Sequence, residues 1–179
     1  MRTATVSELH GVLRVDADTG VAQLFRTHRL AMVRLAMLLV DDRETAEDIA
    51  QEAFAALHRR WSSLHDPAAA EGYLRTCVVN GARSALRRRR TVRRNPSPDE
   101  ARLTVDGADA AALVAEEHRE VLQAIRSLPI RQREVILLRY WSQLTEPEIA
   151  MTLGISVGAV KSSASRARDA IQARLGTLR

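Results

Sequence analysis

Three groups of side chains in this sequence have types and spacings suited to recognition rather than to bond-making. Glu44, Glu47, Asp48, Gln51 and Glu52 fall on helical spacing and make one acidic surface. A carboxylate at Glu44 is what a helix N-terminus favours through its macrodipole, but Asp48 and Glu52 lie too deep in the segment for that explanation. Asn80, Arg83, Ser84 and Arg87 share one side of a later helical stretch. Amide, hydroxyl and guanidinium groups on one face offer hydrogen bonds to bases and charge to phosphates. A solvated basic face is the ordinary reading of a run such as Arg87 to Arg90. Tyr73 and Trp61, two of only six aromatic residues, stand beside it and weigh the other way, because aromatic rings are how unpaired bases are held. The third group, Lys161, Ser162, Ser165 and Arg166, points outward from a helix near the C-terminus, where donors could meet base edges and phosphates in a major groove.

No catalytic or metal constellation accompanies these groups. His10, His28, His58, His65 and His118 lie on separate segments, without the i, i+4 pairing of a metal-binding helix. Glu47, Asp48 and Glu52 come from a single helix with no His-bearing partner. There is no glycine loop for phosphate and no serine nucleophile elbow. The expectation is no enzyme, no metal and no cofactor. Cys77 is the sole cysteine, so an internal disulfide and a cysteine zinc site are excluded and a reducing cytoplasm fits.

The third group is positioned by a helix-turn-helix between Thr145 and Ala170. Thr145 is the expected N-cap, Pro147 sits in the first turn where its missing N–H costs nothing, and Ile149, Ala150 and Leu153 face inward. Gly154 is placed where the helix must end with positive φ, and Ser156 caps the next helix. Val160, Ala164, Ala167 and Ile171 then form a narrow apolar stripe. A solvated helical hairpin is the plainer alternative, but the cap, the glycine and the polar outer face together favour DNA binding.

Upstream, Leu24, Phe25, His28, Ala31, Met32, Leu35 and Leu39 keep helical spacing from Val21. Asp41 with Glu44 reads as a capping box that opens a helix to about Arg60, its buried stripe being Ala46, Ala50, Ala53 and Leu57, flanked by Ile49 and Phe54. A loop follows Trp61. A third helix, beginning at about Ala69 or Tyr73 and ending at Arg90, turns Leu74, Val78, Ala82 and Ala85 inward. Residues 93–112, with Asn95, Pro96, Ser97, Pro98 and Gly107, read as a linker. Helical spacing resumes near Leu113, pauses at Leu128 and Pro129, and continues from Arg131 to Trp141.

The 179 residues therefore read as all-α, with two small helical domains joined by a flexible linker: a tail over 1–19, a first domain over 20–92, the linker over 93–112 and a second domain over 113–179. Lys plus Arg number 27 against 22 Asp plus Glu, and the pI of about 10.5 points to polyanionic partners. The most apolar run, Leu35 to Val40, is too short to cross a bilayer, so a soluble, cytoplasmic protein without membrane insertion is expected.

The stretch from Asp41 to Phe54, with Ala46, Glu47, Asp48, Gln51 and Glu52, resembles the Asp-x-x-x-Ala-Glu-Asp-x-x-Gln-Glu-x-Phe signature of bacterial extracytoplasmic-function sigma factors of the sigma-70 family. Tyr73, Leu74, Val78, Val79 and Asn80 resemble the family's minus-10 helix. Leu128, Pro129, Arg133, Glu134, Leu137, Leu138 and Arg139 resemble the start of domain 4, and Glu148 to Ala167 its minus-35 motif. The chain departs at Ala159, Ser163 and Pro147, where a threonine, a basic residue and another helix-start residue are usual. These departures bear on promoter sequence rather than on class.

The resemblance implies a dissociable initiation subunit of RNA polymerase. Glu47, Asp48, Gln51 and Glu52 would dock on the clamp helices of the largest core subunit, and the flap of the second subunit would be a further contact. Tyr73, Asn80, Arg83 and Arg87 would hold the melted minus-10 element. Arg139, Lys161, Ser162, Ser165 and Arg166 would read minus-35. Promoter DNA and core polymerase are the implied partners, with an anti-sigma factor left open. The alternative is a free-standing dimeric helix-turn-helix regulator with an N-terminal sensing domain, which accounts for neither the acidic helix nor the basic helix with its aromatics.

Overall fold

The computed structural model describes residues 16–64, 69–94 and 119–176. All regular structure among them is helical: α1 (Ala17–Val40), α2 (Arg43–Arg60), α3 (Ala69–Arg94), α4 (Arg119–Ser127), α5 (Ile130–Ile136), α6 (Glu146–Leu153) and α7 (Val157–Gly176). A 3-10 turn, Trp61–Ser63, extends α2, and a π turn, Leu137–Trp141, extends α5. Helices α1 to α3 pack on one another as a first lobe, while α7 gathers α4, α5 and α6 into a second. The expected linker falls between them, and its residues from Asn95 on lie outside the described residues, as do Leu113 and Val114.

The first lobe is built on small-against-large packing. Met32, Leu35, Ala36 and Leu39 of α1 meet Ala46, Ile49, Ala50, Ala53 and Leu57 of α2 and Leu74, Val78 and Ala82 of α3, all buried. The alanine stripe of α2 lets the helix axes approach, and each large aliphatic side chain so buried contributes roughly 1.5 to 3 kcal/mol. Two boundaries differ from the sequence expectation. Helix α1 starts at Ala17 rather than Val21, because the Asp16 carboxylate accepts from the Thr19 amide at 2.9 Å and caps it. Gly20, just before the expected start at Val21, is buried inside α1, and its bare Cα is where Trp61 rests. At the other end α3 continues to Arg94, past the expected stop at Arg90.

The corner between α1 and α2 also differs by one residue. Asp42, not Asp41, is the N-cap: its carboxylate accepts from the Thr45 amide at 2.9 Å. Asp41 instead ends α1 in the left-handed region at φ 58, where aspartate is tolerated better than most residues. In the second lobe the expected helix from Arg131 to Trp141 is present, but its last turn is widened. Ser142 donates to the Leu137 carbonyl at 3.1 Å, five residues back, which keeps Leu137 and Leu138 buried and leaves Tyr140 and Trp141 exposed. Gln143, at φ 55, then turns the chain toward α6.

Candidate functional site

On α2 the buried set is Ala46, Ile49, Ala50, Ala53, Phe54 and Leu57, so the opposite side of the helix carries the acids. Glu44, Asp48, Gln51 and Glu52 are exposed, and Asp48, Gln51 and Glu52 make no hydrogen bond or ion pair among the described residues. Glu47 is half-buried and takes a hydrogen bond from Arg43 Nε at 2.9 Å. No group of three or more His, Cys, Asp and Glu among the described residues is placed to hold a metal ion. The face thus presents unpaired carboxylates on a rigid helix, a surface suited to a basic partner.

Helix α3 carries the second group on the side away from Leu74, Val78, Ala82 and Ala85. Asn80, Ser84 and Arg87 are exposed, with Tyr73 half-buried about two turns before Asn80. Arg60 lies over the Tyr73 ring at 5.4 Å, and burial pushes the Tyr73 hydroxyl and the Cys77 thiol up. The Tyr73 hydroxyl is also bonded to Cys77, which raises its own pKa further and opposes the rise at the thiol. Arg83 behaves differently from its neighbours. Its Nε and Nη2 form a fork on Glu134 of α5, at 2.5 and 2.7 Å, and its Nη1 donates to Asn80 Oδ1 at 3.3 Å. That hydrogen-bonded carboxylate raises the Arg83 pKa.

Two members of the aromatic and arginine set serve the fold. Trp61 rests on Gly20 of α1 and packs against the core, rather than standing free beside Tyr73. Arg89, in the middle of the Arg87 to Arg90 run, turns inward to donate to the Val40 carbonyl, the Asp42 carboxylate and the Thr45 hydroxyl, each at 2.9 Å. Burial pushes Asp42 up, but the Thr45 hydrogen bonds and the Arg89 charge outweigh it and hold the carboxyl below its ordinary value.

The third group sits on a helix-turn-helix with the expected local chemistry. The Thr145 amide donates to Glu148 Oε2 at 2.8 Å and its hydroxyl to the same oxygen at 2.5 Å, which lowers the Glu148 pKa. Gly154 ends α6 at φ 63, and Ser156 Oγ accepts from the Ala159 amide at 3.2 Å to start α7. Val160 and Ala167 are buried, and Lys161, Ser162, Ser165 and Arg166 are exposed. Arg139 reaches Glu146 at 3.4 Å and Lys161 reaches it at 3.8 Å. Glu146 therefore joins two of the residues expected at minus-35, and with Arg139, Gln143 and Pro147 it lines a shallow cleft. Exposed pairs of this length are weak, so a phosphate can replace the carboxylate.

Sequence reasoning missed Glu134, Glu146 and Arg89 as organisers of the basic groups. Only Arg89 carried a local signal, since it is two residues from Arg87 and so faces the helix pair instead of solvent.

Fold and site together define a two-lobed helical protein with an exposed acidic face, a polar basic helix and a helix-turn-helix. Comparison with known proteins agrees. Residues 24–92 match the model of Sigma-70 region 2, and residues 118–171 that of Sigma-70, region 4. The chain is 33% identical over 145 residues to the RNA polymerase sigma-E factor of Streptomyces coelicolor, covering 79% of this chain and 78% of that protein. It is 33% identical over 156 residues to the ECF RNA polymerase sigma factor SigM of Mycobacterium tuberculosis, covering 87% and 77%. Its fold resembles that of the sigma factor RpoE solved with the anti-sigma factor NepR from Bartonella quintana, at a TM-score of 0.70 and 24% identity over 88% of this chain and 98% of that one. The chain belongs to the extracytoplasmic-function group of the sigma-70 family. It is a sigma factor, a protein that binds core RNA polymerase and directs it to promoters, and not the free-standing dimeric regulator.

Proposed function

We propose the following division of labour on this chain. The α2 face of Glu47, Asp48, Gln51 and Glu52 docks on the clamp helices of the largest core subunit. Tyr73, Asn80, Arg83 and Arg87 hold the melted minus-10 strand. Arg139, Lys161, Ser162, Ser165 and Arg166 contact minus-35 DNA, and the second lobe seats on the flap of the second core subunit. The observation that carries the reading is the bare carboxylate face of α2 in a chain of net charge +5. Phosphates repel such a face, so its partner is a basic protein surface, whereas the exposed donors of α3 and α7 suit DNA.

In this reading domain 2 spans 20–92, the linker 93–112 and domain 4 113–179; the first helix starts earlier, at Ala17, and α3 runs two residues into the linker's span, to Arg94. The chain supplies no catalytic group, and chain growth is the chemistry of the polymerase. It works in the cytoplasm, where core enzyme is found; no helix among its described residues is long and apolar enough to cross a membrane. An anti-sigma factor is a further partner, by analogy with the complex of the Bartonella protein. Run-off transcription with core polymerase on a promoter library tests the proposal. Specific starts that depend on the added chain are expected, and start sites unchanged by it would overturn the reading.

A further inference from the structure

The helix-turn-helix sets one carboxylate among the cations assigned to minus-35 DNA. From Thr145 to Arg168 the acids are Glu146 and Glu148 alone. Glu148 is committed to the start of α6, where its Oε2 takes both the Thr145 amide and the Thr145 hydroxyl. Glu146 has no such task. Its Oε1 lies 3.4 Å from Arg139 Nη1 and its Oε2 lies 3.8 Å from Lys161 Nζ, so each oxygen faces one cation. Neither contact has hydrogen-bond geometry, and Glu146 accepts no hydrogen bond from another side chain or amide among the described residues. Its side chain is 29% exposed and borders the open cleft beside Gln143 and Pro147. A partly desolvated carboxylate with vacant lone pairs is short of donors.

We propose that Glu146 is a specificity-determining residue of minus-35 readout, accepting a hydrogen bond from the exocyclic amine of a cytosine in the major groove. It rests on the assignment of the second lobe to minus-35 DNA. Three features carry it. First, Lys161 is in the N-terminal part of α7, the part of a recognition helix that meets base edges, so an oxygen 3.8 Å from its ammonium stands at the groove. Second, Arg139 and Lys161 offset the charge of Glu146, and the trio is still cationic, so phosphates do not exclude it. Third, the residue before a proline is restricted in its backbone, so Pro147 limits the directions open to the Glu146 side chain. The departure from the family pattern at position 147 thereby gains a use. Base chemistry selects cytosine. Guanine and thymine turn acceptors toward a carboxylate, and adenine sets N7 beside its amine, whereas cytosine offers its N4 amine with no acceptor next to it in the groove.

The test uses the full chain assembled with core RNA polymerase, as wild type, Glu146→Gln and Arg166→Ala. Glutamine keeps the shape of Glu146 and removes its charge at a partly exposed site, so the variant should fold, which circular dichroism checks. Templates keep the downstream part of one active start from the promoter library and carry a randomised upstream duplex. Sequencing of the transcribed templates then reads base preference position by position.

Wild type should prefer cytosine on one strand at one upstream position. Glu146→Gln should lower that preference about five- to tenfold, the low end of what one good base contact confers, and keep the preferences elsewhere. Adenine is the base expected in its place, because glutamine pairs with adenine N6 and N7 together. Arg166→Ala should weaken preferences at other positions and leave the cytosine. An unchanged cytosine preference in Glu146→Gln, upstream preferences in wild type that include no cytosine, or a loss spread evenly over all positions would overturn the role of Glu146. Absence of any upstream preference in wild type, with Arg166→Ala behaving the same, would instead locate the failure in the minus-35 assignment of the lobe.

Discussion

Arg89 Nη2 lies 2.9 Å from Asp42 Oδ2, and this pair locks α3 to the corner where α1 gives way to α2. Asp42 is at once the N-cap of α2 and the anchor for Arg89, so one carboxylate fixes the start of the acidic helix and the packing of α3 behind it. Its folded pKa lies below the ordinary 3.8. A depressed acid contributes stability that is complete above its unfolded pKa and disappears as pH falls through the folded one.

The acid limb of unfolding should therefore respond to Asp42→Asn. Asparagine still caps the helix but carries no charge for Arg89. Near neutral pH the variant should lose about 1 kcal/mol or less, since Arg89 is partly exposed and screened. As pH drops below about 4 the difference should shrink, because wild type then loses the same interaction. Thermal midpoints of both forms between neutral pH and acid check this; a constant gap across the range would show that Asp42 is not the titrating group.

Gly20 and Trp61 set up a second prediction, in which two effects oppose. Gly20→Ala improves helix propensity by roughly 0.5 to 1 kcal/mol. The new Cβ, however, would overlap Trp61 Cζ2, in a ring that cannot bend away like the end of a flexible chain. Overpacking of that kind costs about 1 to 3 kcal/mol, so the net effect should be destabilising by about 1 kcal/mol. Denaturant unfolding of the variant measures it, and a gain in stability would mean that Trp61 does not seat on α1 in solution.

Asn80 and Arg166 should fail at different steps if α3 and α7 share promoter contacts as proposed. Arg166→Ala removes a contact to duplex DNA, so initial binding and its salt dependence should weaken. Asn80→Ala should bind initially and melt poorly, seen as reduced permanganate reactivity of minus-10 thymines. Pre-melted template should then rescue Asn80→Ala and leave Arg166→Ala impaired. Equal rescue of both variants would remove the division of labour.

Most of the helical scaffold was legible because its signals are local. The buried stripe of α2, the Thr145 and Ser156 caps and the positive φ of Gly154 depend on residues three or four apart. What escaped was decided across the fold. Asp41 and Asp42 look alike in sequence, and only the Arg126 and Arg89 partners, 85 and 47 positions away, separate their roles. Trp61 reads as a platform until Gly20 is found beneath it. Arg83 reads as a free cation because no local pattern places Glu134 against it. The π turn at Leu137–Trp141 has no periodicity signal, since one extra residue leaves the apolar spacing nearly unchanged.

The central claim is that the acidic face of α2 binds core polymerase. Asp48 is exposed and unpaired among the described residues, so Asp48→Arg should leave the helical circular dichroism and thermal midpoint nearly unchanged. Against a basic partner it replaces attraction with repulsion, and losing one close charge pair at an interface typically costs about 2 to 5 kcal/mol, roughly thirty-fold or more in affinity. A fluorescence titration of labelled wild-type and Asp48→Arg chains with core RNA polymerase measures the difference directly. The account predicts loss of core binding by a folded Asp48→Arg protein. Wild-type affinity in that folded variant would contradict it.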